Sequence, residues 1–140
     1  MLIPRPALAE AAAALREAPG GLRVAAVEVD LDPLDLVRAG AGAFGSACFF
    51  GSPTGTVLGG LGAAWTAAAA GPARFTALDR GLAGLPAGTA AFLGFSFTDA
   101  APASAEWEGF PAALAVVPQI GVVRSGGRTR LTLAVPPGAA

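Results

Sequence analysis

The sequence contains no histidine and no lysine, and it also lacks tyrosine and asparagine. A Ser, Thr or Cys nucleophile needs a neighbouring base, most often His or Lys, so the composition argues against nucleophilic catalysis. Cys48 is the single cysteine, and no disulfide can form within the chain. It lies in an apolar stretch, where a small buried hydrophobe is the default. We expect a reducing, cytoplasmic environment.

Charged side chains are scarce. They make up 14% of the 140 residues, against about 25% in an average soluble domain. All nine basic residues are arginine and the net charge is −1, which does not support an electrostatic surface for nucleic acid. Arg124, Arg128 and Arg130 cluster near the C-terminus. They are interpreted as the solvated face of a hairpin rather than as a phosphate-binding track.

Hydrophobic runs are short. No apolar stretch is long enough to span a bilayer. The alanine-rich residues 7–18 are interrupted by Glu10, Arg16 and Glu17, unlike the uninterrupted apolar core of a signal peptide. We therefore expect no membrane partner.

Periodicity and turn residues divide the chain into short elements. Helices are predicted at residues 6–18, with Leu8 and Leu15 on one face, at 33–38, capped by Asp32 and ended by Gly40, and at 71–85, ended by Pro86. Alternating or apolar segments predict strands at residues 22–31, 47–51, 56–61, 90–97, 112–118, 120–124 and 128–135. Residues 65–70 are interpreted as a strand end or a surface loop, because their composition is of low complexity.

These elements predict an α+β fold with a largely antiparallel sheet of about six strands and about three helices. Residues 1–140 are expected to form a single domain or the N-terminal fragment of a larger enzyme, with 136–140 as a boundary or linker.

The glycine-rich residues 40–45 match the pattern G-x-G-x-x-G. A dinucleotide site needs that turn between a strand and the helix that it opens, with an acidic residue about 20 positions further on. Here a helix precedes the motif, a strand follows it, and Asp79 is too distant. We interpret residues 40–45 as a flexible linker.

Three other local patterns have structural interpretations. Residues 52–56 lack the Lys and the following helix of a phosphate-binding loop, so a hairpin turn is favoured. Glu106 and Glu108 would share a face in an extended segment, but a hard cation needs more oxygen ligands than these two. Trp65 and Trp107 are interpreted as large anchors at the edge of the core.

Six short motifs occur in a fixed order along the chain. They are Phe-Phe-x-Ser-Pro-x-Gly at 49–55, Gly-Leu-Gly-Ala-Ala at 60–64, Gly-Pro-x-Arg-Phe at 71–75, Phe-Leu-Gly-Phe-Ser-Phe at 92–97, Trp-Glu-Gly-Phe-Pro at 107–111 and Arg-Ser-Gly-Gly-Arg at 124–128. This order and spacing resembles the N-terminal region of isochorismate synthases and related chorismate-utilising enzymes, over residues 24–133. The Leu-Leu-Glu-Ser pattern of the anthranilate and aminodeoxychorismate synthases has no counterpart here.

The resemblance implies a relative of enzymes that convert chorismate to isochorismate in menaquinone or siderophore biosynthesis. In that family a Lys activates water, a Glu acts as general acid, and further Glu residues hold Mg²⁺. None of these residues maps onto this sequence, so we assign no catalytic, cofactor-binding or metal-binding residue. The resemblance thus implies a part that is inactive alone, with a C-terminal catalytic segment as its partner.

Two alternatives to the enzyme fragment stay open. One is a small module that binds an apolar ligand on its Phe-rich face, and the other is a structural or interaction domain that completes a partner's sheet. For the enzyme fragment we expect exposed apolar surface that the missing segment would cover, and a tendency to self-associate, whereas a compact monomer would favour an independent module. Leu93, Phe95 and Phe97 form one face of the strand at 90–97, and Phe92 adds bulk to the other.

Overall fold

The computed structural model describes residues 3–17, 21–100 and 104–138. These ranges hold three α-helices: α1 (Arg5–Ala13), α2 (Pro33–Phe44) and α3 (Arg74–Ala83). The strands are β1 (Arg16–Glu17), β2 (Arg23–Glu28), β3 (Ala47–Gly51), β4 (Val57–Leu61), β5 (Trp65–Ala69), β6 (Phe92–Phe95), β7 (Ala113–Val117), β8 (Ile120–Ser125) and β9 (Arg128–Val135). The predicted α+β class is confirmed. No helix in these ranges has both the length and the apolar character that a bilayer span needs.

The strands form two sheets rather than the single sheet that was predicted. The larger sheet has the order β1-β2-β9-β8-β4-β3 and the smaller one the order β5-β7-β6. Every strand pair in both sheets is antiparallel, as expected. Nine strands form in the described ranges where about six were predicted: seven segments had been assigned as strands, β1 was not foreseen, and residues 65–69, taken as a strand end or loop, form β5.

The two sheets are joined at one bend. The β4–β8 pair of the larger sheet leads directly into the β5–β7 pair of the smaller one. At the bend Gln119 N–H donates to Leu61 O at 2.9 Å and Ala64 N–H donates to Val117 O at 2.8 Å. Gly62 has φ +69, a left-handed conformation that favours glycine, so the chain can turn here without losing these hydrogen bonds.

Helices α1 and α2 pack on one face of the larger sheet. The core between them contains Leu36, Leu61, Val122 and Leu131, each at most 1% exposed. Asp32 caps α2 as predicted, because its Oδ1 accepts a hydrogen bond from Leu34 N–H at 2.8 Å.

The lengths of α1 and α2 differ from the predictions. Helix α1 ends at Ala13, and the chain then forms β1 against β2; the predicted last residue, Ala18, lies outside the described residues. Leu8 is 37% exposed, while Ala7 and Ala11 are buried, because small side chains allow α1 to approach the sheet closely. Helix α2 does not stop at Gly40 but continues to Phe44.

Helix α3 covers one face of the smaller sheet. Leu78 packs there against Ala113 and Ala115, with Trp65 and Leu82 at the margin. The register places Phe92 and Gly94 of β6 on the opposite face, beside Val116 and Leu114 of β7. None of the three helices covers that second face.

Candidate functional site

An open groove runs along the uncovered face of the smaller sheet, includes both faces of its edge strand β6, and reaches the edge of the larger sheet. Its volume is about 720 Å³. We call it the aromatic groove, and it is lined by Cys48, Phe49, Phe92, Leu93, Gly94, Phe95, Ser96, Phe97, Thr98, Trp107, Phe110, Pro111, Leu114 and Val116. Because five of these side chains are aromatic phenyl groups and one is an indole, the groove offers mainly apolar and stacking contacts.

The groove lies on the concave side of the bend between the two sheets. Phe92 of β6 lies over Gly60 of β4, which carries no side chain that could block it. From Phe92 the smaller sheet continues outward, with Leu114 and Val116 half-buried in its floor. Cys48 and Phe49 on β3, at the edge of the larger sheet, form the facing wall.

A buried arginine fixes the segment that follows β6. Arg74, at the start of α3, is 5% exposed and forms an ion pair with Asp99. Its Nη2 donates to Ser96 O at 3.2 Å, and its guanidinium lies 4.3 Å from the centre of the Phe75 ring. Phe75 in turn meets Phe95 edge to face, with ring centres 5.3 Å apart. Arg74 thereby holds residues 95–99, which form one side of the groove.

The far side of the groove is a second aromatic pair. Trp107 and Phe110 meet edge to face with ring centres 5.8 Å apart, and both are more than half exposed. The prediction that Trp107 anchors the core edge is therefore wrong, because its segment lies outside the core. For Trp65 the same prediction is confirmed. Trp65 packs against two groups of buried residues, one that contains Ala64 and one that contains Leu78.

Cys48 is half-buried in the groove wall rather than enclosed in a core. Burial raises the pKa of its thiol, so the reactive thiolate is less abundant than in an exposed cysteine. The structure therefore gives Cys48 the properties of an apolar lining residue.

The acidic residues near the groove do not form a metal site. Glu106 and Glu108 were considered as a pair on an extended segment, but residues 105–107 form a 3₁₀ helix. Within the described ranges, no group of three or more His, Cys, Asp or Glu side chains is placed to hold a metal ion. Both carboxylates are exposed beside Trp107.

The glycine-rich residues 40–45 form the end of α2 instead of a linker. The helix continues to Phe44, and Gly45 ends it with φ +75. Gly40 is buried where the helix crosses β4, and a Cβ on it would overlap the Leu61 side chain. The motif therefore serves helix packing and not a phosphate turn.

The remaining predicted features lie away from the groove. Residues 52–55 form the predicted turn, in which Gly55 N–H donates to Ser52 O at 3.1 Å. Arg124 pairs with Asp32 at 3.1 Å, and Arg128 pairs with Glu28. Arg124 of β8 and Arg128 of β9 thus form surface ion pairs, and Arg130 is exposed, which agrees with a solvated hairpin face.

A second, smaller cavity lies beside β2 and β9 of the larger sheet. It has a volume of about 260 Å³ and is bordered by Ala87–Ala90, β2 and β9, with Thr132 among its lining residues. Arg16 is its one charged lining residue and is exposed. The cavity is also smaller than the aromatic groove, so it is the lesser candidate for a site.

The aromatic groove can bind apolar and aromatic groups but offers no base, and none of its lining residues is positively charged. The sequence had indicated bulky side chains on both faces of residues 90–97. It had not indicated that Phe49 and Phe110 would join them, because that depends on how the sheets bend. The consecutive phenylalanines at 49 and 50, one on each face of a short strand, were the available signal.

Comparison with known proteins adds one finding. A family model described as chorismate binding enzyme matches residues 9–138. No curated protein and no solved structure matches the chain significantly. Since the family match spans nearly the whole chain, including all the elements that build the groove, the chain belongs to the chorismate binding enzyme family.

Proposed function

We propose that this chain is the N-terminal, non-catalytic part of an isochorismate synthase, which acts in menaquinone or siderophore biosynthesis in the cytoplasm. The observation that carries the proposal is the family match over residues 9–138. A second observation supports it: the sequence contains neither Lys nor His. The isomerase reaction needs a base to activate water, so that base comes from a partner segment.

The chemistry of the aromatic groove supports the proposal that the catalytic groups come from a partner segment. Chorismate carries two carboxylates, and a site that fixes a dicarboxylate needs positive charge or several donors. The groove supplies aromatic surface together with the hydroxyls of Ser96 and Thr98, and it has no cationic lining residue. The partner segment would therefore supply the carboxylate-binding groups, the Lys base and the Glu ligands of Mg²⁺.

The proposal is tested by reconstitution. The C-terminal catalytic region of an isochorismate synthase, produced as a separate polypeptide, is mixed with this chain, chorismate and Mg²⁺, and isochorismate is followed by chromatography. We expect no turnover by this chain alone and more turnover in the mixture than with the catalytic region alone. Turnover by this chain alone, or a mixture no better than the catalytic region, would contradict the proposal.

The size of the groove favours a second candidate function, an independent module that binds an apolar ligand. A volume of about 720 Å³ lies within the range of about 300–1,000 Å³ for small-molecule sites. Titration with an apolar dye such as ANS, with and without Phe92→Ala, distinguishes it. Saturable binding to one site, lost in Phe92→Ala, would favour the module over the enzyme part.

A further inference from the structure

We propose that the edge of β6 in the aromatic groove receives an extended strand of a second polypeptide, apolar at alternate positions and basic at its ends. The inference concerns strand addition and goes beyond the proposed function, since it requires neither chorismate nor Mg²⁺. It rests on the direction of the free backbone groups, on the exposed apolar area and on the charge at the rim.

The hydrogen bonds of β6 show which backbone groups are free. Ser96 N–H donates to Ala112 O at 2.9 Å across the β6–β7 pair. Antiparallel pairing alternates along a strand, so Phe92 and Gly94 also direct their backbone groups at β7, and Leu93 and Phe95 direct theirs outward. Since β6 is the last strand of its sheet, these outward N–H and C=O groups form an open edge.

The groove is bordered by a second open edge, that of β3. Ser52 N–H donates to Thr56 O at 2.8 Å, which sets the phase of the β3–β4 pair and leaves the backbone groups of Phe49 pointing outward. All four residues of β6 line the groove, whereas β3 contributes Cys48 and Phe49. We therefore assign the added strand to the β6 edge.

The exposed apolar surface has the size of a protein interface. Around the groove, Phe49 is 47% exposed, Leu93 57%, Phe95 63%, Phe97 105%, Trp107 52% and Phe110 58%. With roughly 200 Å² for each large side chain, these fractions amount to about 700–800 Å², close to the roughly 800 Å² that each partner contributes to a standard interface.

The charge at the rim selects the partner. Glu106 and Glu108 flank Trp107, are exposed, and have no ion-pair partner among the described residues. A two-fold dimer through this groove would bring the same acidic rim from both copies together, because such an interface uses the same surface twice. A partner with basic residues beside its apolar strand avoids that repulsion and gains long-range attraction.

The test uses a synthetic peptide in which valine and threonine alternate between lysine pairs, and a matched peptide with glutamate pairs. Binding of the labelled peptides to the 140-residue chain is followed by fluorescence anisotropy. We expect the lysine peptide to bind about tenfold or more tightly than the glutamate peptide. The preference should shrink in Glu106→Gln/Glu108→Gln and at high salt.

Proline variants test the edge itself. Leu93→Pro removes an outward N–H that β7 does not use, so the sheet can persist while strand addition is blocked. The matched control is Ala68→Pro on β5, whose backbone points outward at the opposite edge of the same sheet. We expect lysine-peptide binding to weaken by about tenfold or more in Leu93→Pro and to stay unchanged in Ala68→Pro.

Circular dichroism and urea midpoints establish that both proline variants are folded. If Leu93→Pro does not fold, Gly94→Arg provides the second variant, because an added Cβ there meets nothing within 4 Å and a cationic side chain on the open face of β6 should repel the lysine peptide and abolish its binding. The proposal is overturned if neither peptide binds, if both peptides bind equally, or if Leu93→Pro binds as wild type. It is also overturned if the chain dimerises by sedimentation and Leu93→Pro is monomeric, since a second copy is then the occupant.

Discussion

Phe92 lies across the position where Gly60 would carry a side chain. A Cβ on Gly60 would be 2.8 Å from Phe92 Cε2 and 2.8 Å from Pro118 Cβ, so even a methyl group does not fit. Gly60 belongs to the larger sheet and Phe92 to the smaller one. The contact therefore sets how far the smaller sheet can fold over the larger and how wide the aromatic groove opens.

The first prediction follows from this contact. Gly60→Ala should lower the free energy of unfolding by about 1–3 kcal/mol, because an overpacked side chain displaces its neighbours. The matched control is Gly94→Ala on β6, where an added Cβ meets nothing within 4 Å and the effect should stay within about 0.5 kcal/mol. Urea unfolding of the three proteins measures both, and equal midpoints for Gly60→Ala and wild type would show that the sheets can separate without cost.

The second prediction separates two glycines of the same motif. Gly40→Ala should destabilise the protein by about 1–3 kcal/mol, since the new methyl group overlaps Leu61. Gly42→Ala, where nothing lies within 4 Å, should stabilise it by about 0.5–1 kcal/mol through the higher helix propensity of Ala.

Thermal unfolding provides the measurement for these two variants, and the opposite signs provide the control. If residues 40–45 were a flexible linker, both substitutions would have similar small effects.

Titration with NAD should show no saturable binding to the wild-type protein, because the motif is helical and does not open a helix after a strand.

The elements most readily predicted from sequence were those with a local determinant. The hairpin of β8 and β9 was located correctly because Gly126 and Gly127, with φ +59 and +76, provide the left-handed pair that such a tight turn requires. Residues 128–135 alternate between polar and apolar, which fixed the strand that follows the turn.

What the sequence could not predict depends on tertiary contacts. Glycine disfavours a helix locally, so the sequence predicted that α2 would end at Gly40. The structure shows that glycine is needed there because the Leu61 side chain lies close to the helix, and the helix continues. The aromatic groove required the bend at Gly62, which brings β3 and β6 to one surface. Phenylalanines were visible in both segments, but their meeting depends on the angle between two sheets.

The third prediction concerns pH. The pKa of Asp32 lies below its usual value of 3.8, first because its carboxylate accepts the Leu34 N–H and second because it pairs with Arg124. An acid with a lowered folded-state pKa stabilises the protein above its unfolded-state pKa, and this contribution is lost as the pH falls through the folded-state value. Stability should therefore fall as the pH drops from about 5 to below 3.8.

Two substitutions at Asp32 separate its roles. Asp32→Asn retains a good N-cap but removes the titration and the ion pair, so unfolding of this variant should depend less on pH in the acid range. Asp32→Ala also removes the cap and should cost about 1 kcal/mol at pH 7. Urea midpoints at pH 7 and pH 3 compare the three proteins. An acid loss of the same size in wild type and Asp32→Asn would assign the pH dependence to other carboxylates.

The fourth prediction concerns the ion pair that holds the groove segment. Arg74 is buried while the Asp99 side chain is 59% exposed, so solvent screens part of their attraction. Asp99→Asn should therefore cost about 1 kcal/mol, because an uncompensated guanidinium is left with the Ser96 carbonyl as its acceptor. Arg74→Met should cost more, about 2 kcal/mol, since it also loses the contact with Phe75.

A double-mutant cycle gives the coupling between these two residues. Arg74→Met/Asp99→Asn should be less destabilised than the sum of the single variants, by about 1 kcal/mol, because the second change removes a partner that is already unpaired. The coupling should weaken at high salt, since Asp99 faces solvent.

Maleimide labelling of Cys48, in the opposite wall of the groove, reports on groove shape in the same variants. If Arg74 positions residues 95–99, labelling should accelerate in Arg74→Met even under conditions where that variant is fully folded. An unchanged labelling rate together with an unfolding cost would instead restrict Arg74 to global stability.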